Sequence, residues 1–218
     1  MTWAAIFDLD GLLVDSEPLQ ARSFNLVLAP YGIRLESDDF RELVGYTTTD
    51  NFKLLKARHE QIDITVDQLM EAKDKAYHKL VRSDLTLNPG TMELVQSLHS
   101  GQVPMAVASS SPRVDVELSL NVVGLARYFS VVRTSDDVVK TKPAPDLYLL
   151  AARALGVRPE RCVAFEDSGA GCAAACTAGM HCFVVPHEFT RGQDFSDATG
   201  ILTSLKEVTV DRLSGLFS

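Results

Sequence analysis

The sequence is short of positive charge: its 218 residues carry 21 Lys and Arg against 29 Asp and Glu, a formal net charge of −8. Nucleic-acid binding needs a basic footprint, so that partner class is excluded. An anionic substrate must then be drawn by local positive charge or a metal, not by the field of the whole molecule. Long hydrophobic runs are also missing. No stretch approaches membrane-spanning length and the start of the chain lacks a basic region followed by an apolar signal core, so a cytoplasmic protein without a membrane partner is expected. Cysteine is scarce, with 4 in the chain, too few for a disulfide scaffold at this length. Cys172 and Cys176 are spaced i, i+4 on an expected helix; flanked by alanines and without a matching histidine pair, they read as small core residues. Internal repeats, low-complexity tracts and long linkers are absent as well. Hydrophobic side chains are plentiful at 46%, enough for a sizeable core in one large α/β domain or in a core with a smaller companion.

Two kinds of territory follow one another along the chain. After an apolar opening strand, Trp3 to Phe7, residues 17 to 82 show helical patterns and no convincing strand. Ser16, Glu17 and Pro18 suit the start of a helix running to about Pro30. Ser37 suits the cap of a short helix through Leu43 and Val44, stopped by Gly45. Phe52, Leu55 and His59 share one side of a third helix, and Leu69, Lys73, Ala76 and Leu80 one side of a fourth, with Met70, Tyr77 and Val81 beside them. Beyond residue 82 the pattern alternates. "GTMELVQSLHSG", "APDLYLLAARALG" and "GAGCAAACTAG" read as helices; "VPMAVASSS", "SVVRTSD", "CVAFEDS" and "HCFVVP" read as strands. Such alternation implies a parallel sheet with helices on both faces.

In such sheets the ligand site lies beyond the carboxyl ends of the strands. That rule gathers Asp8 and Asp10 from the first strand, Ser109 from "VASSS", and Glu166 and Asp167 from "CVAFEDS". Side chains at i and i+2 of an extended segment point to the same side, so Asp8 and Asp10 face one volume if strand geometry persists. Four converging carboxylates repel one another unless a cation binds between them. Oxygen-rich sites of this kind suit Mg²⁺, which takes a few carboxylates and leaves room for a phosphate oxygen. Ser109 is placed to donate a hydrogen bond to that phosphate, and Lys142, in the loop of "KTKPAPD", to offset its charge. Ser110 stands beside Ser109 as a second phosphate donor, although Ser110 or Ser111 suits equally well the cap of the next helix.

With these residues in place, the chain resembles the haloacid dehalogenase-superfamily phosphatases, in the branch that includes β-phosphoglucomutase. The resemblance runs nearly the whole length, carried in order by "DLDGLLVDSE", "VASSS", "KTKPAPDLY" and "FEDSGAG". It implies a Rossmann-like, doubly wound parallel sheet as the catalytic core (residues 1–16 and 83–218), with an inserted all-helical cap domain (residues 17–82). It implies that Asp8 attacks phosphorus to form an aspartyl-phosphate and that Asp10 protonates the leaving alkoxide, then takes a proton from the attacking water. Mg²⁺ would be held by Asp8, the backbone carbonyl of Asp10 and Asp167, with Glu166 in the immediate shell. Ser109, Ser110 and Lys142 would hold the phosphoryl oxygens. Gly11 would let the chain turn away beneath the phosphate.

The partner implied is a small phosphorylated metabolite, a sugar or polyol phosphate, met by a monomeric enzyme. Substrate choice would rest on the cap, at Gln20, Gly45, Thr47 and Thr48. A mutase of this branch needs a cap cation for a second phosphate; the matching positions here hold Gln20 and Thr48, with Arg22 or Lys53 as substitutes from a neighbouring turn. A dehalogenase or phosphonatase departs from the pattern at Asp10. A non-catalytic binding module on this fold would have no physical reason to keep every catalytic position. The five histidines fit no metal or triad pattern and read as structural or surface residues.

Overall fold

The computed structural model describes residues 2–43 and 47–217. The chain divides into two compact units, one formed by Met1–Asp15 with Thr86–Ser218 and the other by Ser16–Leu85. The first unit contains a six-stranded sheet: β1 (Ala4–Phe7), β2 (Met105–Ala108), β3 (Val131–Arg133), β4 (Cys162–Glu166), β5 (His181–Val184) and β6 (Gly200–Ile201). The strand order is β3-β2-β1-β4-β5-β6, and every adjacent pair is parallel. Parallel neighbours require crossover connections. Here the crossovers contain α5 (Thr91–Ser100), α6 (Arg113–Val122), α7 (Asp146–Leu155) and α8 (Gly169–Thr177), and a short α9 (Val210–Ser214) follows β6.

Strands covered on both faces read as unbroken apolar runs. All four residues of β1 and of β2 are buried, as are all five of β4. On one face Ala4, Ile6, Ala106, Ala108, Ala164 and Val184 share a core with Leu147, Tyr148 and Ala151 of α7 and Ala174 and Ala175 of α8. On the other, Phe7 stacks on Phe165 with ring centroids 4.9 Å apart, and Phe183 extends the stack at 6.1 Å. Fully burying one such large side chain contributes about 1.5–3 kcal/mol. The sheet that carries the site is therefore held from both sides. The two-residue β6, at the sheet edge, is too short to leave a pattern in the sequence.

The second unit contains α1 (Glu17–Leu28), α2 (Ser37–Leu43), α3 (Thr48–Arg58) and α4 (Val66–Asp84), and no strand among the described residues. Phe24, Leu28, Phe52, Leu55 and Leu69 belong to its core, with Phe24 and Phe52 centroids 4.9 Å apart. The first helix stops before Pro30: Ala29–Tyr31 forms a 3-10 turn closed by Gly32 at φ 69°. Ser37 is the first residue of α2 and not its cap; Gly45, expected to stop that helix, lies outside the described residues. Thr65 and Gln68 form a capping box at the start of α4, satisfying backbone donors in the first turn. Leu69, Lys73, Tyr77, Leu80 and Val81 are buried along α4, with the Lys73 ammonium 4.8 Å from the Tyr77 ring centroid. Among the described residues no helix is long and apolar enough to cross a membrane.

Candidate active site

Regular strand geometry ends at Phe7, one residue before the first aspartate. The Asp8 N–H still bonds the Phe165 carbonyl at 2.9 Å, which fixes Asp8 at the carboxyl end of the sheet between β2 and β4. The chain then leaves the strand: Asp10 forms a bridge with Val14 and Gly11 takes a φ of 79°. Asn88 donates to the carbonyls of Gly11 (2.8 Å) and Leu12 (3.0 Å), and Thr91 to that of Leu13 (3.0 Å). Two side chains at the start of α5 thus clamp the turn.

Gly11 is required twice over. Its positive φ disfavours any L side chain, and a Cβ there would lie 2.4 Å from Asp167 Oδ2 and 3.1 Å from His187 Nε2. The absent side chain is what lets Asp167 and His187 approach the loop.

Lys142 reaches in from the loop before α7. Its ammonium pairs with Asp8 Oδ1 and, at 2.6 Å, with Glu166 Oε1, and lies 5.1 Å from the Tyr148 ring centroid. Glu166 is fully buried. Its Oε1 also accepts from the Tyr148 hydroxyl at 2.5 Å, while Oε2 accepts from the Asp167 N–H (3.2 Å) and the Ser168 hydroxyl (3.1 Å). A Cβ on Gly171 would fall 1.9 Å from Glu166 Cδ, so α8 presents a glycine where this carboxylate must sit.

Burial pushes the Asp8 carboxyl well above the usual carboxylate range; Lys142 opposes the shift, while Glu166, Asp167 and Asp10 reinforce it. Burial works against the Lys142 charge, yet Asp8 and Glu166 overturn that and hold its pKa above an ordinary lysine's. Burial, with Glu166 and Asp8 adding to it, raises the Tyr148 phenol well above its usual value. Tyr148 therefore stays a neutral donor, and Lys142 stays a cation.

Asp10 stands in different surroundings. Its Oδ2 accepts from the Ser111 hydroxyl at 2.7 Å and weakly, at 3.5 Å, from that of Ser109. Ser109 is buried, and its Oγ accepts from the Ser111 N–H at 3.0 Å. Ser110 is exposed. Pro112 precedes α6 as its cap position without a side-chain bond, so neither Ser110 nor Ser111 caps that helix.

The structure thus brings Asp8, Asp10, Ser109, Lys142, Glu166 and Asp167 to one end of one sheet and turns Ser110 outward. Of the five histidines, read from the sequence as structural or surface residues, His187 lies against the site. Its Nδ1 accepts from the Phe189 N–H at 3.3 Å, so Nε2 carries the proton and donates to Asp167 Oδ2 at 2.9 Å. The signal was available: His187 follows β5, whose carboxyl end points to the same rim as β1 and β4. Ser111, Tyr148 and Asn88 were missed for want of any pattern separating them from cap, core and loop residues.

Of the cap candidates, Gln20 is half-buried in α1. The Thr47 hydroxyl is taken up by helix capping, accepting from the Asp50 N–H (3.1 Å) and donating to the Asp50 carboxylate (2.8 Å). Thr48 opens α3 and is half-buried; Gly45 is outside the described residues.

Residues 5–185 match the family described as haloacid dehalogenase-like hydrolase. The phosphorylated carbohydrates phosphatase of Thermotoga maritima is 32% identical, across 94% of this chain and 99% of that protein. A mutant of CbbY from Rhodobacter sphaeroides, solved in complex with xylulose-(1,5)bisphosphate, superposes with a TM-score of 0.84 at 31% identity, covering 95% of this chain and 96% of that one. A putative β-phosphoglucomutase from Thermotoga maritima gives 0.83 at 29% identity, covering 99% of each chain. The chain belongs to the haloacid dehalogenase-like hydrolases, as a phosphoric monoester hydrolase of the branch that includes β-phosphoglucomutase.

Proposed function

We propose that this protein is a Mg²⁺-dependent phosphatase of small monophosphorylated sugars or polyols, working through an aspartyl-phosphate on Asp8. One observation carries the reading: a buried aspartate, a lysine whose side chain is buried and two further acidic residues meet at the sheet rim, with Asp10 held separately by serine hydroxyls. Burial is the first cause of the upward shift of Asp8, and Glu166, Asp167 and Asp10 add to it against Lys142; at this rim four carboxyl groups face one lysine ammonium. That donor set, all oxygen and rich in carboxylate, fits a hard divalent cation. Asp8, the backbone carbonyl of Asp10 and Asp167 would hold it. Glu166, with both oxygens already accepting hydrogen bonds, is assigned instead to holding Lys142. Mg²⁺, when bound, supplies the positive charge that lets carboxylates and phosphoryl oxygens share one site.

An Asp8 carboxylate oxygen attacks phosphorus, and the bond from phosphorus to the ester oxygen breaks. Asp10, entering as the acid, gives its proton to the leaving alkoxide; Ser111 fixes the carboxyl in position for that transfer. Asp10, now a carboxylate, takes a proton from water as that water attacks the phosphorus of the aspartyl-phosphate. Inorganic phosphate leaves and Asp8 is restored. Lys142 and the Ser109 hydroxyl hold the phosphoryl oxygens throughout. The Ser16–Leu85 unit is assigned the role of cap that selects the substrate.

Water as acceptor is supported by where the spare cations of that unit are spent. Arg22 pairs with Asp84 at 2.6 Å and Lys53 with Asp50 at 3.0 Å, while Gln20 and Thr48 are neutral. The sugar class rests on the phosphorylated carbohydrates phosphatase among the relatives.

The test is a panel of sugar and polyol monophosphates with Mg²⁺ or with chelator, run on the wild type and Asp10→Asn. Chelation is expected to abolish phosphate release. Asp10→Asn is expected to cost about 10²–10⁴-fold on sugar phosphates, and less on an aryl phosphate whose leaving group needs little protonation. Equal losses on both would remove Asp10 as the acid. Conversion of β-glucose 1-phosphate to glucose 6-phosphate faster than phosphate release would overturn the phosphatase reading.

A further inference from the structure

All four cysteines are free thiols, and three of them converge. Cys172 and Cys176 stand one turn apart on α8, their sulfurs 4.0 Å apart. Cys182, on β5, brings a third sulfur so that all three lie within 4.8 Å of one another. Cys172 and Cys182 are buried and Cys176 is half-exposed. A fourth donor is at hand, since the backbone carbonyl of Asp197 accepts from the Cys176 thiol at 3.3 Å.

Packing asks of a core cysteine only a small apolar volume. It does not ask three sulfurs to meet at one spot, with a carbonyl oxygen against one of them. A metal does: with metal–sulfur bonds of about 2.3 Å, donor sulfurs lie about 3.8 Å apart in a tetrahedral site and about 4.0 Å apart in a trigonal one. The 4.0 Å pair already meets that spacing, and small side-chain rotations bring the third sulfur to it. An entry path exists as well. Cys172 also lines a cavity of about 410 Å³ whose walls include Asp194 and Asp197, both exposed, which favour an approaching cation.

We propose that Cys172, Cys176 and Cys182, with the Asp197 carbonyl, form a binding site for a thiophilic divalent ion of the zinc class. Each thiol that becomes a ligand gives its proton to solvent as its metal–sulfur bond forms. Sulfur donors discriminate against Mg²⁺, so the site is chemically separate from the carboxylate pocket. In place the two are neighbours: the β4 residue in register with Cys182 is Ala164, two positions before Glu166 on the same face of the strand. The metal sits between α8 and β5.

Cobalt(II) is the probe, titrated into the full-length protein saturated with Mg²⁺, under argon and with a phosphine reductant so that no disulfide forms. The expected result is a one-to-one complex with a thiolate-to-cobalt charge-transfer band, displaced by Zn²⁺. Cys162→Ala keeps the band, and Cys172→Ala/Cys176→Ala loses it while retaining the wild-type circular dichroism spectrum. Cys176→Ala alone, which disturbs no fully buried side chain, loses one thiolate's share of the intensity and so tests the site even if the double variant fails to fold. The absence of a charge-transfer band in the wild type, or a band unchanged in Cys176→Ala, overturns the proposal.

Discussion

Replacing Tyr148 by phenylalanine removes one hydroxyl from the Lys142–Glu166–Tyr148 cluster and nothing else. The lost bond is 2.5 Å long and ends on a carboxylate, with Tyr148 and Glu166 both fully buried. Hydrogen bonds to charged groups contribute about 1.5–3 kcal/mol, and in a buried site no water replaces the missing donor. Glu166 Oε1 keeps Lys142 at 2.6 Å, so the acceptor is not orphaned, and a cost of about 2 kcal/mol is expected. For a chain of this size that lowers Tm by about 4–8 °C, at about 2–4 °C per kcal/mol. Because burial holds the phenol well above its ordinary pKa, Tyr148 is a neutral donor throughout the assay range and the cost is flat from about pH 6 to 9. The measurement is urea unfolding of wild type, Tyr148→Phe, Glu166→Gln and the double variant. A coupling energy below about 0.5 kcal/mol, the level at which independent sites simply add, would refute the bond as a structural anchor. Turnover should fall less than tenfold in Tyr148→Phe, since Lys142 keeps both of its carboxylates.

Gly171→Ala should lose about 1–3 kcal/mol by overpacking against Glu166, although alanine inside a helix is normally the better residue; thermal unfolding that is unchanged would mean Glu166 has room to move. His187→Leu removes the proton donated to Asp167 and should weaken Mg²⁺ activation by about 10–100-fold, read as a shift of the Mg²⁺ titration of activity and not as a loss at saturation. An unshifted titration would leave His187 without a positioning role. Asp8→Asn should unfold at a higher temperature than wild type at pH 7 in chelator. Burial raises the folded-state pKa of Asp8 above its unfolded value, so the stability tied to its protonated form is present at low pH and lost as pH rises through the folded pKa. The advantage of asparagine should shrink towards pH 4, and a lower Tm for Asp8→Asn at pH 7 contradicts that account.

What could be read beforehand was what repeats or stands at a strand end. The unbroken apolar runs of β1, β2 and β4 announced a sheet buried on both faces, and the polar residues ending them announced the rim. Asp8, Lys142 and Glu166 were legible because a carboxylate or a lysine beside an apolar run is chemically conspicuous. Tyr148 was not, since a helix of "DLYLLAARAL" needs an aromatic in its core face whether or not its hydroxyl has work to do. Ser111 and Ser110 are indistinguishable as letters; only the backbone path after β2 turns one to Asp10 and the other to solvent. His187 meets Asp167 across 20 residues of α8 and β5, a pairing set by strand order alone.

That strand order has a consequence for how the protein comes into being. β1 lies between β2 and β4 in the sheet, so during synthesis the residues of β1 wait for partners that begin at Met105 and Cys162. During synthesis the Ser16–Leu85 helices, whose contacts are near in sequence, can form while β1 is still an unpaired apolar segment at the ribosome. Every residue between Asp8 and His187 must emerge before Asp8 has its full set of neighbours. A stalled or truncated nascent chain therefore exposes a sticky strand and an incomplete acidic rim: Asp8 is made early and surrounded late.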